Sequence, residues 1–205
     1  MQPEILLATT NKGKLKELQS LLADVPCRCL IPSELGISLE VEENGTTYAE
    51  NATLKALAYH AATGLPVIAD DTGLEVDALD GAPGLHSARF STDPAATDAD
   101  RREKLLRVLA DKPRPWSARF QCVVAVVMAD GVVELFHGSV GGEIITEERG
   151  EHGFGYDRLF YIPAAGRTLS ELDLIEKNAF SHRAVAVKKA IPYIIDQIKK
   201  DYTGE

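Results

Sequence analysis

The sequence predicts an α/β fold, with a long mixed β-sheet flanked by helices. Three observations carry this. The apolar run 4–8 passes through a polar loop into leucines at helical spacing, the strand–helix order of parallel pairing. Residues 117–129 and 132–140 are two β-rich stretches joined at Asp130-Gly131, a strong hairpin signal, so this part pairs antiparallel. Residues 184–198 repeat apolar side chains at helical period and close the chain with an amphipathic helix.

Taken in order, EILLA (4–8) is a short buried strand, and Leu15, Leu18, Leu21 and Leu22 place a helix starting near Lys12 or Gly13. Cys27–Ile31 reads as a second strand, ended by Pro32. Thr46 or Thr47 caps a helix over about 47–63, with Glu50 near the capping-box position and Gly64 as its stop. Pro66–Ala69 is a strand that meets Asp70-Asp71 and then turns at Thr72-Gly73. Thr97 or Asp98 starts an amphipathic helix to about Asp111, whose Arg101, Arg102, Glu103 and Lys104 form a solvated face. After the hairpin, Gly141-Gly142 breaks the chain before a further strand at 143–146. Leu159–Ile162 is a short strand, and Ser181 caps the last helix, which Pro192 should kink or divide.

Composition narrows the function. A chain of 205 residues suits one domain, or one domain with two lobes, and can bury a sizeable core. No run approaches a membrane span, and MQPEILLATTNKGK lacks the features of a signal peptide. Three cysteines, Cys27, Cys29 and Cys122, show no zinc-like spacing and fit a reducing cytoplasm. A net charge of −9 argues against general nucleic-acid binding. A polyanionic small substrate would need a local lysine cluster and a divalent metal to overcome that repulsion.

The residues that carry chemistry centre on 66–90, PVIADDTGLEVDALDGAPGLHSARF. A strand that fixes paired acids beside a turn is a common way to hold a metal at a sheet edge. Upstream, Thr9-Thr10-Asn11-Lys12-Gly13-Lys14 joins a strand to a helix start, where backbone N–H groups and the positive dipole end favour phosphate. It is not a Walker A loop, because Leu15 follows the lysine. By spacing alone it serves equally as a turn with solvated lysines. Asn51 and Lys55 share one helix face. Gly153-Phe154-Gly155-Tyr156-Asp157 can bring backbone close to a planar base while a ring stacks on it, or can be a glycine-rich turn with core aromatics. His182 and Arg183 sit in the first turn of the last helix, where cations oppose the dipole.

LATTNKGKLKEL (7–18), EENGTTYAENATLKA (42–56), the 66–90 stretch, GFGYDRLF (153–160) and EKNAFSHR (176–183) together resemble the inosine triphosphate pyrophosphatase family, in its bacterial form. The resemblance runs from Leu6 to Lys188. It implies a single domain over 1–205 with two lobes around the long sheet and an active-site cleft between them. It further implies a cytoplasmic, homodimeric, Mg²⁺-dependent enzyme that hydrolyses ITP, dITP and XTP to monophosphate and pyrophosphate, clearing non-standard purines from the nucleotide pool. By the same resemblance Asp71 is general base and metal ligand, and Glu42 is the second metal acid. Thr9, Thr10, Asn11, Lys12, Gly13 and Lys14 hold the triphosphate; Lys55 and Thr72 contact substrate. Phe154, Gly155, Tyr156, Asp157, Lys177, His182 and Arg183 contact base or phosphate. Asp70, on the other side of the strand, is left to order the turn or to stand behind the metal ligands. Thr10, Thr72 and Arg158 stand where glycine, serine and proline are common in the family. A haloacid-dehalogenase-type phosphatase would want Asp-x-Asp, whereas these two acids are adjacent and point to opposite sides of a strand. A phosphoacceptor receiver domain would not contain the hairpin.

Overall fold

The computed structural model describes residues 2–91, 93 and 95–203. Its strands are β1 (Glu4–Leu7), β2 (Arg28–Leu30), β3 (Val67–Val76), β4 (Pro83–Gly84), β5 (Trp116–Val127), β6 (Val133–Ile144), β7 (Phe160–Ile162) and β8 (Arg167–Thr168). Its helices are α1 (Lys12–Leu21), α2 (Tyr48–Thr63), α3 (Asp98–Leu109), α4 (Leu174–Phe180) and α5 (His182–Thr203). The strand order is β2-β1-β3-β5-β6-β7-β8, with β4 pairing β3 off that path. β1 pairs parallel with β2 and β3, whereas β3–β4, β6–β7 and β7–β8 pair antiparallel. The mixed α/β class therefore stands as the sequence predicts it.

The chain divides into two compact units: one of residues up to Asp71, Cys122–Gly138 and Arg183 onward, the other of Thr72–Gln121 and Ser139–His182. In the first, alternation along the strands sorts the core. Ile5, Leu7 and Ile68 pack with Leu18 of α1, with Leu22 just after it and with Val187, Ala190 and Ile194 of α5. Leu6, Ala8, Val67 and Ala69 take the opposite face, against Ala52, Ala56 and Tyr59 of α2. In the second, Leu74, Val76, Trp116, Phe120 and Phe160 pack with Leu105 and Leu109 of α3.

Several elements differ from the sequence reading. The chain does not turn at Thr72-Gly73; β3 runs straight through the acid pair for ten residues. The apolar run and the alternation Leu74-Glu75-Val76 are one strand, and each buries its inward residues. Gly141-Gly142 likewise lies inside β6. A Cβ on Gly142 would stand 2.5 Å from the Tyr161 carbonyl, so this glycine permits close approach of β7 instead of ending a strand. Pro192 does not divide α5, which is continuous from His182 to Thr203. Arg102 is not solvated: it is 7% exposed and paired with Glu148. The caps hold well. Thr47 and Glu50 form the capping box of α2, Thr97 caps α3, and α5 begins directly after Ser181.

Candidate functional site

In the first unit, the parity of β3 decides what each acid meets. Asp70 shares the face of Ile68, toward α1 and α5; Asp71 shares the face of Val67 and Ala69, toward α2. Asp70 is 1% exposed and sits in an ionic cluster. Its Oδ2 accepts from Arg183 Nε at 3.2 Å and Nη2 at 3.1 Å, and lies 3.0 Å from Lys14 Nζ. Arg183 also donates to Glu17, itself buried on α1. Burial alone would push the Asp70 carboxyl up; Lys14, Arg183 and Lys55 outweigh it and hold it well below the usual carboxylate range.

Asp71 differs in every respect. It is 7% exposed and accepts from Asn51 Nδ2 at 3.2 Å. Asn51 is oriented in turn by Gly45, whose N–H donates to its Oδ1 at 2.8 Å; a Cβ on Gly45 would lie 2.7 Å from that oxygen. Burial raises the Asp71 carboxyl, and Lys14, Lys55 and the Asn51 hydrogen bond do not fully offset it, with Glu43 adding repulsion. A partly shielded carboxylate with a raised pKa is what a general base needs. Lys55 Nζ donates to the Asp70 carbonyl at 3.1 Å and pairs with Glu43 at 2.7 Å, and Lys14 Nζ reaches the same carbonyl at 3.4 Å. Two ammonium groups, from α1 and α2, thus converge beside Asp71.

The loop before α1 and its first turn carry exposed Thr10, Asn11 and Lys12 and half-buried Thr9, Gly13 and Lys14. Asn11 is its N-cap: its Oδ1 accepts from Gly13 N at 2.9 Å and Lys14 N at 3.0 Å. Those two first-turn amides are therefore engaged by the cap, which modifies the expectation that they face a phosphate. Glu42 is exposed, and the acid brought to Lys55 and Asp71 is its neighbour Glu43. Among the described residues no group of three His, Cys, Asp or Glu could hold a metal ion. That donor set still fits Mg²⁺, which is held by one or two carboxylates plus substrate phosphates and keeps several waters.

In the second unit, the 153–157 loop is built around Asp157. Its Oδ2 accepts from Phe154 N at 3.0 Å and from Lys177 Nζ at 2.6 Å. Gly153 has φ +75°, and a Cβ there would lie 2.1 Å from the same oxygen. Lys177 Nζ stands 5.2 Å from the Phe154 ring centroid, a cation–π contact that fixes the half-buried ring. From α3, Asp98 accepts from Gly155 N at 2.7 Å, and Arg102 donates to the Gly155 carbonyl at 2.8 Å. His182 is 3% exposed and stacks on Phe120, centroids 4.7 Å apart and planes 14° apart. Thr72 is half-buried in β3.

Two of the predicted contact residues have partners inside the protein. Tyr156 is 4% exposed, its hydroxyl donating to the Ser87 carbonyl at 2.9 Å. Arg183 is buried, and its guanidinium donates to Asp70 and Glu17. Sequence reasoning missed Glu17, Asp98 and Glu148. Glu17 could have been found: it adjoins Leu18 on the inward side of α1, where an acid needs a cation. Asp98 and Glu148 give no such signal, since each reads as an ordinary surface acid.

The fold and these constellations define a class: an α/β protein with a lysine-flanked buried carboxylate and a glycine-rich aromatic loop. The chain belongs to the Ham1 family, whose model matches residues 5–193. It is 47% identical over 189 residues to the dITP/XTP pyrophosphatase of Desulforamulus reducens, covering 92% of this chain and 94% of that one. It is 46% identical over 197 residues to the dITP/XTP pyrophosphatase of Yersinia pseudotuberculosis, covering 94% and 98%. Among solved structures it is similar to a HAM1 protein from Coxiella burnetii, at TM-score 0.84 and 42% identity over 95% of this chain and 99% of that one.

Proposed function

We propose that this protein is a Mg²⁺-dependent pyrophosphatase of non-standard purine nucleoside triphosphates. Its substrates are ITP, dITP and XTP, its products the monophosphate and pyrophosphate, and its role the clearance of such bases from the nucleotide pool. It acts in the cytoplasm as a homodimer. The observation that carries the reading is Asp71, a nearly buried carboxylate with a raised pKa between Lys14 and Lys55. The naming of relatives at 43–47% identity as dITP/XTP pyrophosphatases supports the substrate class.

Asp71, with Glu42 or the better-placed Glu43, would hold the metal. Held there, Mg²⁺ would supply charge neutralisation at the phosphates and the leaving pyrophosphate. Asp71 orients a water and takes its proton as the oxygen attacks the α-phosphorus. Asn51 keeps the Asp71 carboxylate in one orientation. Lys14 and Lys55 stabilise the charge that develops on the bridging oxygen. Thr9 to Gly13 contact the triphosphate, and Thr72 donates its hydroxyl to substrate.

Phe154 stacks on the base; its face is held by Lys177. Hypoxanthine and xanthine carry a carbonyl at position 6, where adenine carries an amino group. A donor aimed there from His182, Arg183 or a nearby backbone N–H is satisfied only by the carbonyl. An unpaired buried donor rejects the amino base by as much as ~10⁴-fold. The test is pyrophosphate release with Mg²⁺ on ITP, XTP, ATP and GTP side by side, on wild type and Asp71→Asn. Wild type should release pyrophosphate from ITP and XTP and the variant should not. Orthophosphate as the product, equal rates on ATP, or near wild-type turnover by the variant would overturn the reading.

A further inference from the structure

α3 reaches the glycine-rich loop with two charged side chains, and every backbone polar group of Phe154 and Gly155 has a partner. Phe154 N–H donates to Asp157 Oδ2 at 3.0 Å, and its carbonyl accepts from Asp157 N at 3.2 Å. Gly155 N–H donates to Asp98 Oδ2 at 2.7 Å, and its carbonyl accepts from Arg102 Nη1 at 2.8 Å. These two residues therefore have no backbone donor to spare for a base. What they bring to one is the Phe154 ring.

The two α3 side chains are themselves held. Glu148 accepts from Arg102 Nε at 2.7 Å and Nη2 at 3.1 Å, which aims the remaining nitrogen, Nη1, at the loop. Arg158, where proline is common in the family, brings a second guanidinium to 3.6 Å from the same carboxylate. Asp98 Oδ1 accepts from Arg101 Nη2 at 2.9 Å, which leaves Oδ2 to Gly155. Burial alone would raise the Asp98 carboxyl; the Gly155 N–H and Arg101 overcome it and hold it below its usual range, so its bond to the loop is charge-assisted. A loop with left-handed glycines at 153 and 155, φ +75° and +61°, ranges widely unless it is anchored. Asp98 and Arg102 fix the two peptide planes that flank Gly155, and the first of these begins at Phe154.

We propose, resting on the reading of Phe154 as the ring that stacks on the base, that Asp98 and Arg102 are positioning residues for base recognition. They clamp the loop from α3 so that the Phe154 ring stands in place before a purine nucleotide arrives. Stacking tolerates any base, because every base has a π-face. The clamp therefore sets affinity for purine nucleotides in general and leaves discrimination among them to other groups.

The experiment measures steady-state pyrophosphate release from ITP and XTP with Mg²⁺, and hydrogen exchange of the 153–159 peptide in the substrate-free protein. It compares wild type with Asp98→Ala, Arg102→Met, Asp98→Asn and Leu109→Ala. Asp98→Ala and Arg102→Met should raise KM about 5- to 20-fold for both substrates, lower kcat by less than about twofold and speed exchange of the loop amides. Asp98→Asn keeps an oxygen that accepts from Gly155 N–H, so its KM should return most of the way to wild type. Leu109→Ala loosens the buried far end of α3 and leaves the clamp intact, so its KM should stay at the wild-type value. An unchanged KM in Asp98→Ala, a rise for one substrate only, or an equal rise in Leu109→Ala would overturn the proposal while the wild type still turns over ITP. A wild type inert on both substrates would overturn the reading of function, and the clamp's role with it. The Asp98 side chain is 41% exposed, so Asp98→Ala decides the case even where Arg102→Met folds poorly.

Discussion

Asp70→Asn and Asp71→Asn exchange neighbouring residues for the same amide, yet the structure requires opposite outcomes. Asp70 and Glu17 balance Arg183 and Lys14 in a buried cluster. Neutralising Asp70 leaves one positive charge in excess and turns two charge-assisted hydrogen bonds from a buried guanidinium into weaker neutral ones. Removing one partner of a buried pair costs about 3–5 kcal/mol. Glu17 still holds Arg183, and the Lys14 side chain is 16% exposed and can turn toward water, which places the loss near ~3 kcal/mol. Asp71 has the reverse sign. Its folded pKa is raised, so its ionised form opposes folding at neutral pH, and the amide should change stability by less than about 1 kcal/mol. The Asn oxygen can still accept from Asn51. Turnover, by contrast, should fall by ~10²–10⁴ or more in Asp71→Asn. Urea unfolding followed by circular dichroism reads the first effect as a midpoint shift of about 1–2 M; pyrophosphate release reads the second. Asp70→Asn within 1 kcal/mol of wild type, or Asp71→Asn as destabilised as Asp70→Asn, would refute the assignment of one acid to structure and the other to chemistry.

Glu148→Gln should lower stability by about 1 kcal/mol, a value discounted because the Glu148 side chain is 36% exposed. The hydrogen bond from Arg102, against burial, holds the Glu148 carboxyl below its usual range. Its contribution is therefore present above about pH 4.3 and lost as pH falls through the lower folded value, so unfolding curves of the two proteins should converge in acid. Gly153→Ala forces a left-handed conformation on a Cβ placed against Asp157. We expect a loss of more than about 1 kcal/mol and a KM for ITP raised more than kcat is lowered, measured by steady-state pyrophosphate release. Chelation by EDTA should abolish turnover and leave the substrate-free unfolding midpoint unchanged, with activity restored by Mg²⁺. A large fall in that midpoint would mean that the metal is structural.

Much of this was legible because local signals agreed with burial. Thr47 with Glu50, Thr97, Gly64 and the β1-to-α1 step each combine a cap or stop with a hydrophobic period. Gly141-Gly142 and Thr72-Gly73 misled for one reason: a glycine inside a strand and a glycine in a turn look alike until the neighbouring backbone is known. Tyr156 and Arg183 show a different limit. Their residue types suit substrate contact, and their long-range partners Ser87, Asp70 and Glu17 leave no trace in the local sequence. Glu42 and Glu43 lie in an irregular segment without periodicity, so nothing local decides which acid turns toward Lys55.

The pairing of the lysines bears on how an acidic chain handles a polyanion. Lys14 rests on Asp70, Lys55 on Glu43 and Lys177 on Asp157. Each cation is thus fixed in place before any substrate arrives, and little side-chain entropy is left to lose on binding. The same arrangement places Asp71 and Glu43 together, and Glu43 adds to the burial that already raises the Asp71 carboxyl. Lysines that are half-neutralised by their own acids cannot cancel that repulsion. A divalent cation held by Asp71 would offset it, because carboxylate and phosphate oxygens would then both be ligands. On the proposed reading, the lysines would position the substrate and a divalent metal would offset its repulsion from Asp71.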